Sequence, residues 1–317
     1  MRVLITGVTG FTGRHLTEYV LVRVPRAEVF GVALDTNFSL GVTGHQGDLT
    51  WPGVAEILVA DVRPDRVFHL AALVPGSGDQ VVPEKLFVVN VLGTLQVLEA
   101  VRRQAPATRT LVVSSAAVYG PVPAECQPIT EDAPLNPVTA YAASKAMQDL
   151  LASQYAAGHG LSVMRARTFN QTGPGEHPGL VCATLARQVA EIEAGRRAPE
   201  ISVRYLFTQR DFTDVRDVVR AYWLILERGT PGAVYNVCSG KPCSISDVLH
   251  LLLALAGLSG VQIVERERQL LPGDVAVSLG NPTRLMTDTG WQPSIPLEQS
   301  LRDLLDEWRA RVKGGMP

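Results

Sequence analysis

Three evenly spaced glycines after the first apolar run constrain the fold of this chain more than any other feature. They stand at positions 7, 10 and 13, between an apolar run at residues 3–6 and an amphipathic pattern at residues 11–23. Glycines allow a tight turn and a close approach of the backbone, and a helix start offers free N–H groups and a positive dipole to a pyrophosphate. This arrangement predicts a dinucleotide-binding loop, with an ordinary tight turn as the alternative. The residues expected to contact the cofactor are Gly7, Gly10, Phe11, Thr12 and Gly13.

Carboxylates follow the next two predicted strands. Asp35 ends the second strand, roughly 20 residues beyond the glycine loop, where an acidic residue can accept hydrogen bonds from the adenosine ribose hydroxyls. The same carboxylate would face the 2′-phosphate of NADP, and Arg14 is the local basic candidate to offset it, so NAD(H) is expected and NADP(H) is the alternative. A solvated loop position is the other interpretation of Asp35. Asp48 and Leu49 follow the third strand, where Asp48 either meets the adenine amino group or closes a turn.

Short apolar runs alternate with helical patterns over the first 165 residues. This alternation predicts a doubly wound parallel sheet, the Rossmann type of α/β fold. The second half breaks the alternation and predicts a smaller mixed α/β cap over the carboxyl edge of the sheet. We expect residues 1–166 plus 207–237 to form the dinucleotide-binding domain and residues 167–206 plus 238–317 the substrate-binding cap. The strands expected in the first half span residues 3–6, 28–34, 66–71, 110–115 and 161–167, and the helices span 11–23, 51–62, 84–104 and 138–158.

Charge and composition exclude several kinds of partner. The 29 basic and 31 acidic residues of the 317-residue chain are interspersed, which argues against a nucleic-acid partner. The longest uncharged stretch of the C-terminal half, residues 251–264, is too short to span a membrane. A strand that starts at residue 3 leaves no place for the apolar core of a signal peptide, so we expect a cytoplasmic protein. The four cysteines form no Cys-x-x-Cys pair, so we expect reduced thiols and no metal site.

A tyrosine and a lysine stand one helical turn apart. Tyr141 and Lys145 are spaced i and i+4 in a predicted helix, so the phenol and the ammonium share one face. A phenol near its reference pKa of about 10 is a poor acid or base at neutral pH, and a nearby cation lowers that pKa. Ser115 ends a predicted strand, where it can donate a hydrogen bond to a substrate oxygen beside Tyr141. The alternatives are an exposed helix pair for Tyr141 and Lys145, and a loop cap for Ser115 and its neighbour Ser114.

The predicted helix at residues 84–104 is apolar around most of its circumference. Between Leu86 and Leu98, apolar residues occupy nearly all faces, whereas packing on the sheet covers only one of them. We expect the other side to pair between two subunits, beside the helix that begins near residue 138, and therefore predict a homodimer. Burial beneath another helix of the same chain is the alternative.

These motifs together resemble those of the extended short-chain dehydrogenase/reductases that act on nucleotide sugars, the NAD-dependent epimerase/dehydratase family. The resemblance covers nearly the whole chain. Within the family, segments 186–195 and 210–222 look most like the GDP-4-keto-6-deoxy-mannose reductases, which form GDP-rhamnose. The motifs that carry the resemblance lie at residues 6–13, 48–49, 69–72, 90–94, 114–120, 141–145, 167–175 and 210–217.

The resemblance implies roles for individual residues near the cofactor. Tyr141 would protonate the carbonyl oxygen, and Lys145 would bind the nicotinamide ribose and tune Tyr141. Ser115 would orient the C4 oxygen of the sugar. Asn90 would brace the site, with a purely structural role as the alternative. Further cofactor contacts implied by the family are Asp48, Leu49, Ala71, Ala72 and Asn90.

The resemblance also implies how the substrate is held. Asn170 and Arg210 would bind the diphosphate of a nucleotide-diphosphate sugar, and Arg187 would assist, because the guanidinium group matches phosphate geometry. Surface ion pairs are the alternative for both arginines. We expect this nucleotide sugar to be the small-molecule partner of the chain.

Two departures from the family pattern bear on the reaction. The 4,6-dehydratases of the family carry an acidic residue just after the catalytic hydroxyl, whereas Ala116 and Ala117 follow the serine here, which favours simple reduction or epimerisation. At Leu271 many relatives have an arginine on the diphosphate, and Arg266 or Arg268 is the candidate to replace it.

The leading hypothesis is NAD(P)H-dependent reduction of the C4 ketone of a 4-keto-6-deoxy nucleotide sugar, linked to GDP by the resemblance. The first alternative is a 4-epimerase that uses bound NAD⁺, since it needs the same serine, tyrosine and lysine. The second is a dinucleotide-binding regulator without turnover, which would have no need of a complete catalytic set.

Overall fold

Strands and helices alternate from the first residues of the chain, in a computed structural model that describes residues 1–74, 82–267, 269–270 and 273–315. The strands are β1 (Arg2–Thr6), β2 (Glu28–Ala33), β3 (Val42–Gln46), β4 (Arg66–His69), β5 (Arg109–Ser115), β6 (Val163–Thr168), β7 (Asn170–Thr172), β8 (Glu200–Val203), β9 (Gln209–Asp214), β10 (Val234–Val237), β11 (Pro242–Ser244), β12 (Gln262–Glu265) and β13 (Val277–Ser278). The α-helices are α1 (Phe11–Arg23), α2 (Val54–Val62), α3 (Pro83–Phe87), α4 (Gly93–Gln104), α5 (Ala140–His159), α6 (Val181–Glu193), α7 (Val215–Arg228), α8 (Ile245–Ala256), α9 (Thr283–Thr289) and α10 (Leu297–Lys313).

Seven parallel strands form the central sheet, in the order β10-β6-β5-β4-β1-β2-β3. Ile5, Phe68, Leu111 and Met164 on these strands are fully buried, as expected for strands covered on both faces. The strand order reverses between β1 and β4, and the crevice at the carboxyl ends of the strands beside such a reversal is where doubly wound sheets bind ligands. The predicted α/β fold with a doubly wound parallel sheet is therefore confirmed.

Smaller sheets lie in the second half of the chain. One has the order β11-β9-β13, with β7 also paired to β9, and the other pairs β12 with β8. Helices α6, α8 and α10 pack together around Leu185, Leu249, Leu304 and Trp308, which form a core of their own. The predicted mixed α/β character of this half is confirmed, whereas the exact division of the chain into two domains stays a prediction.

The structure departs from the predicted elements at several places, and β7, β11, β13 and α9 are additions to them. Helix α2 begins at Val54 rather than at residue 51, because Gly53 adopts a left-handed φ of 85° just before it. The single helix predicted at residues 84–104 is divided into α3 and α4 by a π-helical turn, Val88–Leu92. Strand β9 was not predicted, since its sequence is polar; its buried Asp211 is satisfied by donors from Ser239 and Gly240.

The helices and cysteines of the described segments bear on membranes and metals. None of those helices is long and apolar enough to cross a membrane. Cys182 and Cys238 are buried free thiols, and burial raises their pKa well above the usual value, so they act as core residues. Within the same segments no group of three or more His, Cys, Asp or Glu side chains is placed to hold a metal ion.

A buried carboxylate ties α5 to the central sheet. Asp149 of α5 is fully buried and accepts hydrogen bonds from Arg165 at 3.0 Å and from Arg167 at 2.9 and 3.0 Å, both on β6. Arg167 also donates to the Tyr119 hydroxyl and to the Glu131 carbonyl. A buried charge is tolerated only when it is paired in this way. Asp149 therefore fixes the position of α5, the helix that carries the predicted tyrosine and lysine.

We predict that Asp149→Asn lowers the free energy of unfolding by about 3–5 kcal/mol, because it leaves two buried arginines without their anion. Urea denaturation measures this loss. Glu298→Gln is the matched control, since Glu298 pairs with Arg302 in an exposed position 2.9 Å away, where an ion pair is worth less than about 1 kcal/mol. A loss in Asp149→Asn no larger than in the control would contradict the prediction.

Candidate active site

The glycine loop has the shape that a dinucleotide requires. Gly7 has a φ of +68°, and a Cβ atom there would lie 3.0 Å from the backbone of Ala71 at the end of β4. A Cβ at Gly13 would lie 2.3 Å from the carbonyl oxygen of Gly7. Both positions therefore need glycine. The loop packs closely against the end of the sheet, which leaves room for a ligand over it.

The first turn of α1 has no side-chain cap, because its N-cap residue is Gly10, and it contains no acidic residue. Its N–H groups, from Phe11, Thr12 and Gly13, are thus suited to the phosphates of a dinucleotide. These residues fit the cofactor that the sequence predicts. A dinucleotide bound here would hold its pyrophosphate at the start of α1.

The two predicted carboxylates differ in their surroundings. Asp35 lies beyond β2 and accepts hydrogen bonds from the Thr9 hydroxyl at 2.9 Å and the Asn37 N–H at 2.8 Å, so it borders the glycine loop. Asp48 accepts hydrogen bonds from the N–H and the hydroxyl of Thr50 through one oxygen, which is the turn interpretation of this residue. Leu49 beside it is buried. Asp35 is therefore positioned beside the loop, whereas Asp48 has a local structural role in addition to any cofactor contact.

Ser115 and Tyr141 meet at the carboxyl edge of the sheet. Ser115 ends β5, and its hydroxyl lies close enough to the Tyr141 phenol to oppose the effect of burial on the pKa of that phenol. Tyr141 lies in the first turn of α5, whose N-cap Thr139 accepts a hydrogen bond from the Ala142 N–H at 3.1 Å. The neighbouring Ser114 is buried and donates to the Lys145 carbonyl at 3.3 Å, so it joins strand to helix. Of the two serines, only Ser115 is placed beside the phenol.

Lys145 is buried one turn along α5 from Tyr141. Its Nζ donates to the Val113 carbonyl at 2.6 Å and to Oε1 of Gln148. Burial lowers the pKa of Lys145 to about 7, although the carboxylate of Asp149 acts in the opposite direction. Near neutral pH the lysine is therefore divided between its ammonium and amine forms in the protein without ligand.

The pKa of Tyr141 differs from the sequence-based expectation. We expected the Lys145 cation to lower it, but burial raises the pKa of Tyr141, and the opposing effect comes from the Ser115 hydroxyl. Burial disfavours the phenolate, and Lys145 is directed to Val113 and Gln148. Tyr141 consequently keeps its proton at neutral pH.

Asn90 joins the cofactor edge to α5. It lies in the π-helical turn, where its Oδ1 accepts from the Leu73 N–H at 2.7 Å and its Nδ2 donates to the Ser144 hydroxyl at 2.9 Å. Ser144 in turn donates to the Tyr141 carbonyl at 2.8 Å. Ala71 and Ala72, just before Leu73, are half-buried after the end of β4. Asn90 therefore braces this loop against the catalytic helix, as the structural alternative describes.

The predicted substrate residues lie on β7, α6 and β9, in the second half of the chain. Asn170 is exposed on β7. Arg210 on β9 donates to the Gln209 carbonyl at 2.8 Å, and burial lowers its pKa. Arg187 on α6 lies 3.8 Å from Glu191, and its Nε is buried without a hydrogen-bond partner among the described residues. Both arginines are therefore only partly satisfied by the protein, which suits a role toward an anion.

The proposed replacements for the missing diphosphate arginine are only partly visible. Arg266 donates from Nε to the Ser202 hydroxyl, on the β12 and β8 pair of strands. Leu271 and Arg268 lie outside the described residues.

Sequence reasoning missed three side chains beside the cofactor site, those of Gln148, Gln171 and His15. Gln148 contacts Lys145, and its i+3 spacing on the same helix was the available signal. Gln171 of β7 donates to the Thr12 hydroxyl at 2.9 Å, and the His15 ring lies 2.7 Å from the Pro174 carbonyl. These contacts bring the cap against the glycine loop. No local pattern marks Gln171, because the contact joins residues far apart in the sequence.

Comparison with known proteins agrees with this geometry. The family model described as GDP-mannose 4,6 dehydratase matches residues 4–304. The chain belongs to this family. It is 35% identical over 98% of its length to the GDP-6-deoxy-D-mannose reductase of Pseudomonas aeruginosa, 98% of which is covered. The resemblance to extended short-chain dehydrogenase/reductases is thereby confirmed, and the chain is an enzyme of that kind.

Solved structures of family relatives superpose over nearly the whole chain. RMD from Pseudomonas aeruginosa, complexed with NADPH, has a TM-score of 0.85 at 34% identity, covering 98% of this chain and 99% of that one. The UDP-glucose 4-epimerase of Thermus thermophilus, complexed with NAD, has a TM-score of 0.85 at 30% identity with the same coverage. Relatives of this family thus carry either nicotinamide dinucleotide.

We predict that the protein binds NADH about tenfold more tightly than NADPH, because Asp35 would face the 2′-phosphate at an exposed, partly screened position. Asp35→Ala should reduce this ratio toward one. Dissociation constants from nicotinamide fluorescence titration test it. Asp48→Ala is the control and should leave the ratio unchanged. Tighter NADPH binding by the wild type, or an unchanged ratio in Asp35→Ala, would show that Asp35 does not read the ribose.

Proposed function

We propose that this protein is an NAD(P)H-dependent reductase of the C4 ketone of a 4-keto-6-deoxy nucleotide sugar linked to GDP. The observation that carries the proposal is the placement of Ser115 beside Tyr141 at the carboxyl edge of the sheet, with Lys145 one helical turn away on α5. The full-length similarity to a GDP-6-deoxy-D-mannose reductase supports the choice of reaction and of nucleotide.

The proposed mechanism assigns one task to each of three side chains. Ser115 and Tyr141 donate hydrogen bonds to the C4 oxygen, which orients the ketone. A nicotinamide dinucleotide held by the glycine loop and Lys145 would supply the hydride. Tyr141 then gives its proton to the oxygen, and Lys145 holds the nicotinamide ribose. General acid catalysis of this kind contributes about 10² to 10⁴ in rate.

Tyr141 has the protonation state of a proton donor. A phenol that keeps its proton at neutral pH is ready to protonate an oxygen, whereas oxidation of an alcohol begins with a phenolate. Binding of a cationic nicotinamide would favour the phenolate instead, because opposite charges attract. The free protein is thus in the protonation state that ketone reduction requires.

The turn after Ser115 argues against dehydration. Ala116 and Ala117 begin a 3₁₀ turn at this point, and Ala117 donates its N–H to the Ser115 hydroxyl at 3.2 Å. Methyl groups cannot take the C5 proton that loss of water from C6 requires. Although the family model is described as a dehydratase, we propose simple reduction for this chain.

We propose that Arg187, Arg210 and Asn170 bind the nucleotide diphosphate. The guanidinium groups of Arg187 and Arg210 have only some of their hydrogen bonds satisfied by the protein. Asn170 is exposed on β7, next to Gln171, which contacts the glycine loop through Thr12. A guanidinium fork pairs well with phosphate oxygens. Thermal unfolding in GDP, UDP or dTDP tests the choice of base, since a ligand at about 100 times its dissociation constant adds about 2.7 kcal/mol to stability.

A 4-epimerase is the second candidate, and the similarity to an epimerase complexed with NAD favours it. One assay of cofactor consumption distinguishes the two reactions. A reductase consumes added NADH or NADPH in proportion to GDP-4-keto-6-deoxy-mannose. An epimerase retains its cofactor through purification and interconverts a nucleotide sugar without net consumption. Release of a 4-keto sugar from GDP-mannose by the protein alone would contradict both.

We predict that Tyr141→Phe lowers turnover by about 10² to 10⁴ while NADH still binds, because the ring remains and only the proton donor is lost. Steady-state kinetics and fluorescence titration measure the two effects. Tyr155→Phe serves as the control, since its hydroxyl donates to Glu99 at 2.7 Å, away from Ser115. Near wild-type turnover of Tyr141→Phe would show that another group donates the proton.

We also propose a homodimer formed through α5 and the π-helical turn. Packing of α5 on this turn covers part of the apolar surface within one chain. Leu95, on α4 within the apolar stretch, is half-buried against the core. Val88, Met147 and Leu150 nevertheless remain 44%, 45% and 58% exposed, and such apolar exposure on adjoining helices is typical of subunit contacts.

We predict that Leu150→Glu converts the dimer to a monomer or to insoluble protein, because it places a charge in an apolar contact. Light scattering on the purified protein measures the mass. Val22→Glu, at an exposed apolar position on α1, should leave the mass unchanged. A monodisperse monomeric wild type would refute the dimer.

A further inference from the structure

A buried chain of hydrogen bonds runs from Lys145 to the backbone beside the glycine loop. Lys145 donates to Oε1 of Gln148, and Nε2 of Gln148 donates to the Thr94 hydroxyl at 2.8 Å. The Thr94 hydroxyl lies 2.9 Å from Nε2 of His69, whose Nδ1 lies 2.8 Å from the Thr6 hydroxyl. All five side chains are buried. The lysine is thus connected to the edge where the cofactor binds.

The single hydroxyl proton of Thr94 sets the direction of each bond. Thr94 donates that proton to the Asn90 carbonyl at 2.6 Å, so its oxygen must accept from both other neighbours. His69 therefore carries its proton on Nε2, and Gln148 turns its NH₂ group toward Thr94. The carbonyl oxygen of Gln148 is consequently directed at Lys145.

The other side chains of this hydrogen-bond network are uncharged. Burial lowers the pKa of His69 to about 3, and the nearby Lys145 adds to the effect, so the imidazole is neutral. Its Nδ1 accepts the Thr6 proton, which leaves the Thr6 oxygen to accept from the Ala71 N–H at 3.0 Å. Lys145 is the only member with a positive charge, and a neutral amide oxygen faces it.

Charged groups on the neighbouring elements act on Lys145 less directly. Asp149 follows on α5 and favours the ammonium, but its oxygens are bound to Arg165 and Arg167 of β6. Tyr141 on the same helix keeps its proton and adds no charge. Two of the three N–H bonds of Nζ are taken, by the β5 carbonyl of Val113 and by Gln148, as far as the described residues show.

We propose that Gln148 is a positioning residue of the reaction: its carbonyl oxygen, oriented by Thr94, holds the Lys145 ammonium so that the third N–H meets a ribose hydroxyl of the bound nucleotide. Gln148 acts through Lys145 and touches neither substrate nor cofactor. The inference rests on the proposed function, which assigns Lys145 to the nicotinamide ribose.

The protonation of Lys145 can be measured without any assay of activity. The chain has four lysines, Lys85, Lys145, Lys241 and Lys313, so side-chain NMR of the intact protein with labelled lysine resolves each of them. Lys145→Arg assigns its signal. The midpoint of its titration then reports how well the surroundings stabilise the ammonium.

Two substitutions of Gln148 should move this midpoint in opposite directions. Gln148→Met keeps the length but removes the acceptor, so the midpoint should fall by about one pH unit. Gln148→Glu places a carboxylate there and should raise the midpoint by about one pH unit. Gln154→Met, at an exposed position of the same helix, should leave it unchanged. A merely structural role for Gln148 would not produce shifts of opposite sign.

The shifts of the Lys145 midpoint in the two variants decide whether Gln148 has the proposed role. Opposite shifts support it, and shifts in one direction, or no shift in either variant, overturn it. If Gln148→Met does not fold, Gln148→Glu decides alone, since an upward shift supports the proposal and an unchanged or lower midpoint overturns it.

The pH dependence of kcat/KM gives a second test, and the protonation of Lys145 sets the direction of the expected change. The ammonium is the form that holds the ribose, so kcat/KM should fall as pH rises through the Lys145 pKa. This fall should move to lower pH in Gln148→Met and to higher pH in Gln148→Glu. A wild type that is inactive on the keto sugar would contradict the proposed function. The NMR titration of Lys145 would still test the role of Gln148 in that case. An active wild type whose profile neither variant shifts would overturn the role of Gln148 alone.

Discussion

The contact between Asp149 and two arginines of β6 is the constraint on which the active site depends. Asp149 is fully buried, and the arginine side chains are only 12% and 6% exposed, so the charge of the carboxylate is balanced by these two guanidinium groups and not by solvent. This contact sets where α5 lies on the sheet. Tyr141 and Lys145 lie on that helix, and their positions relative to Ser115 follow from it.

Burial in this region has opposite effects on the two titrating groups of the site. It raises the pKa of Tyr141, which keeps the proton on the phenol, and it lowers the pKa of Lys145 to about 7, which weakens the ammonium. The protein offsets the second effect with neutral oxygens, from Val113 and Gln148, rather than with an adjacent carboxylate. These oxygens accept two of the three N–H bonds of Nζ and leave the third for the ribose hydroxyl that it is proposed to meet.

The sequence predicted what depends on local pattern. The order of strands and helices in the first half, the glycine loop and the Tyr141–Lys145 spacing all follow from periodicity and residue type, and the structure agrees with them. It did not predict β9, where the burial of Asp211 is compensated by donors nearly 30 residues away in the chain. It also erred on the Tyr141 pKa, since spacing shows that a cation is near but not that burial outweighs it or that Gln148 directs the lysine elsewhere.

Transfer of deuterium is the most direct test of the proposed reaction. The protein is incubated with GDP-4-keto-6-deoxy-mannose and NADH deuterated at the transferable position of C4, and the product sugar is examined by NMR and mass spectrometry. The proposed reductase function predicts one deuterium at C4 of the sugar for each nicotinamide oxidised. A product without deuterium at C4, or a sugar inverted at C4 while the added NADH stays intact, would contradict it.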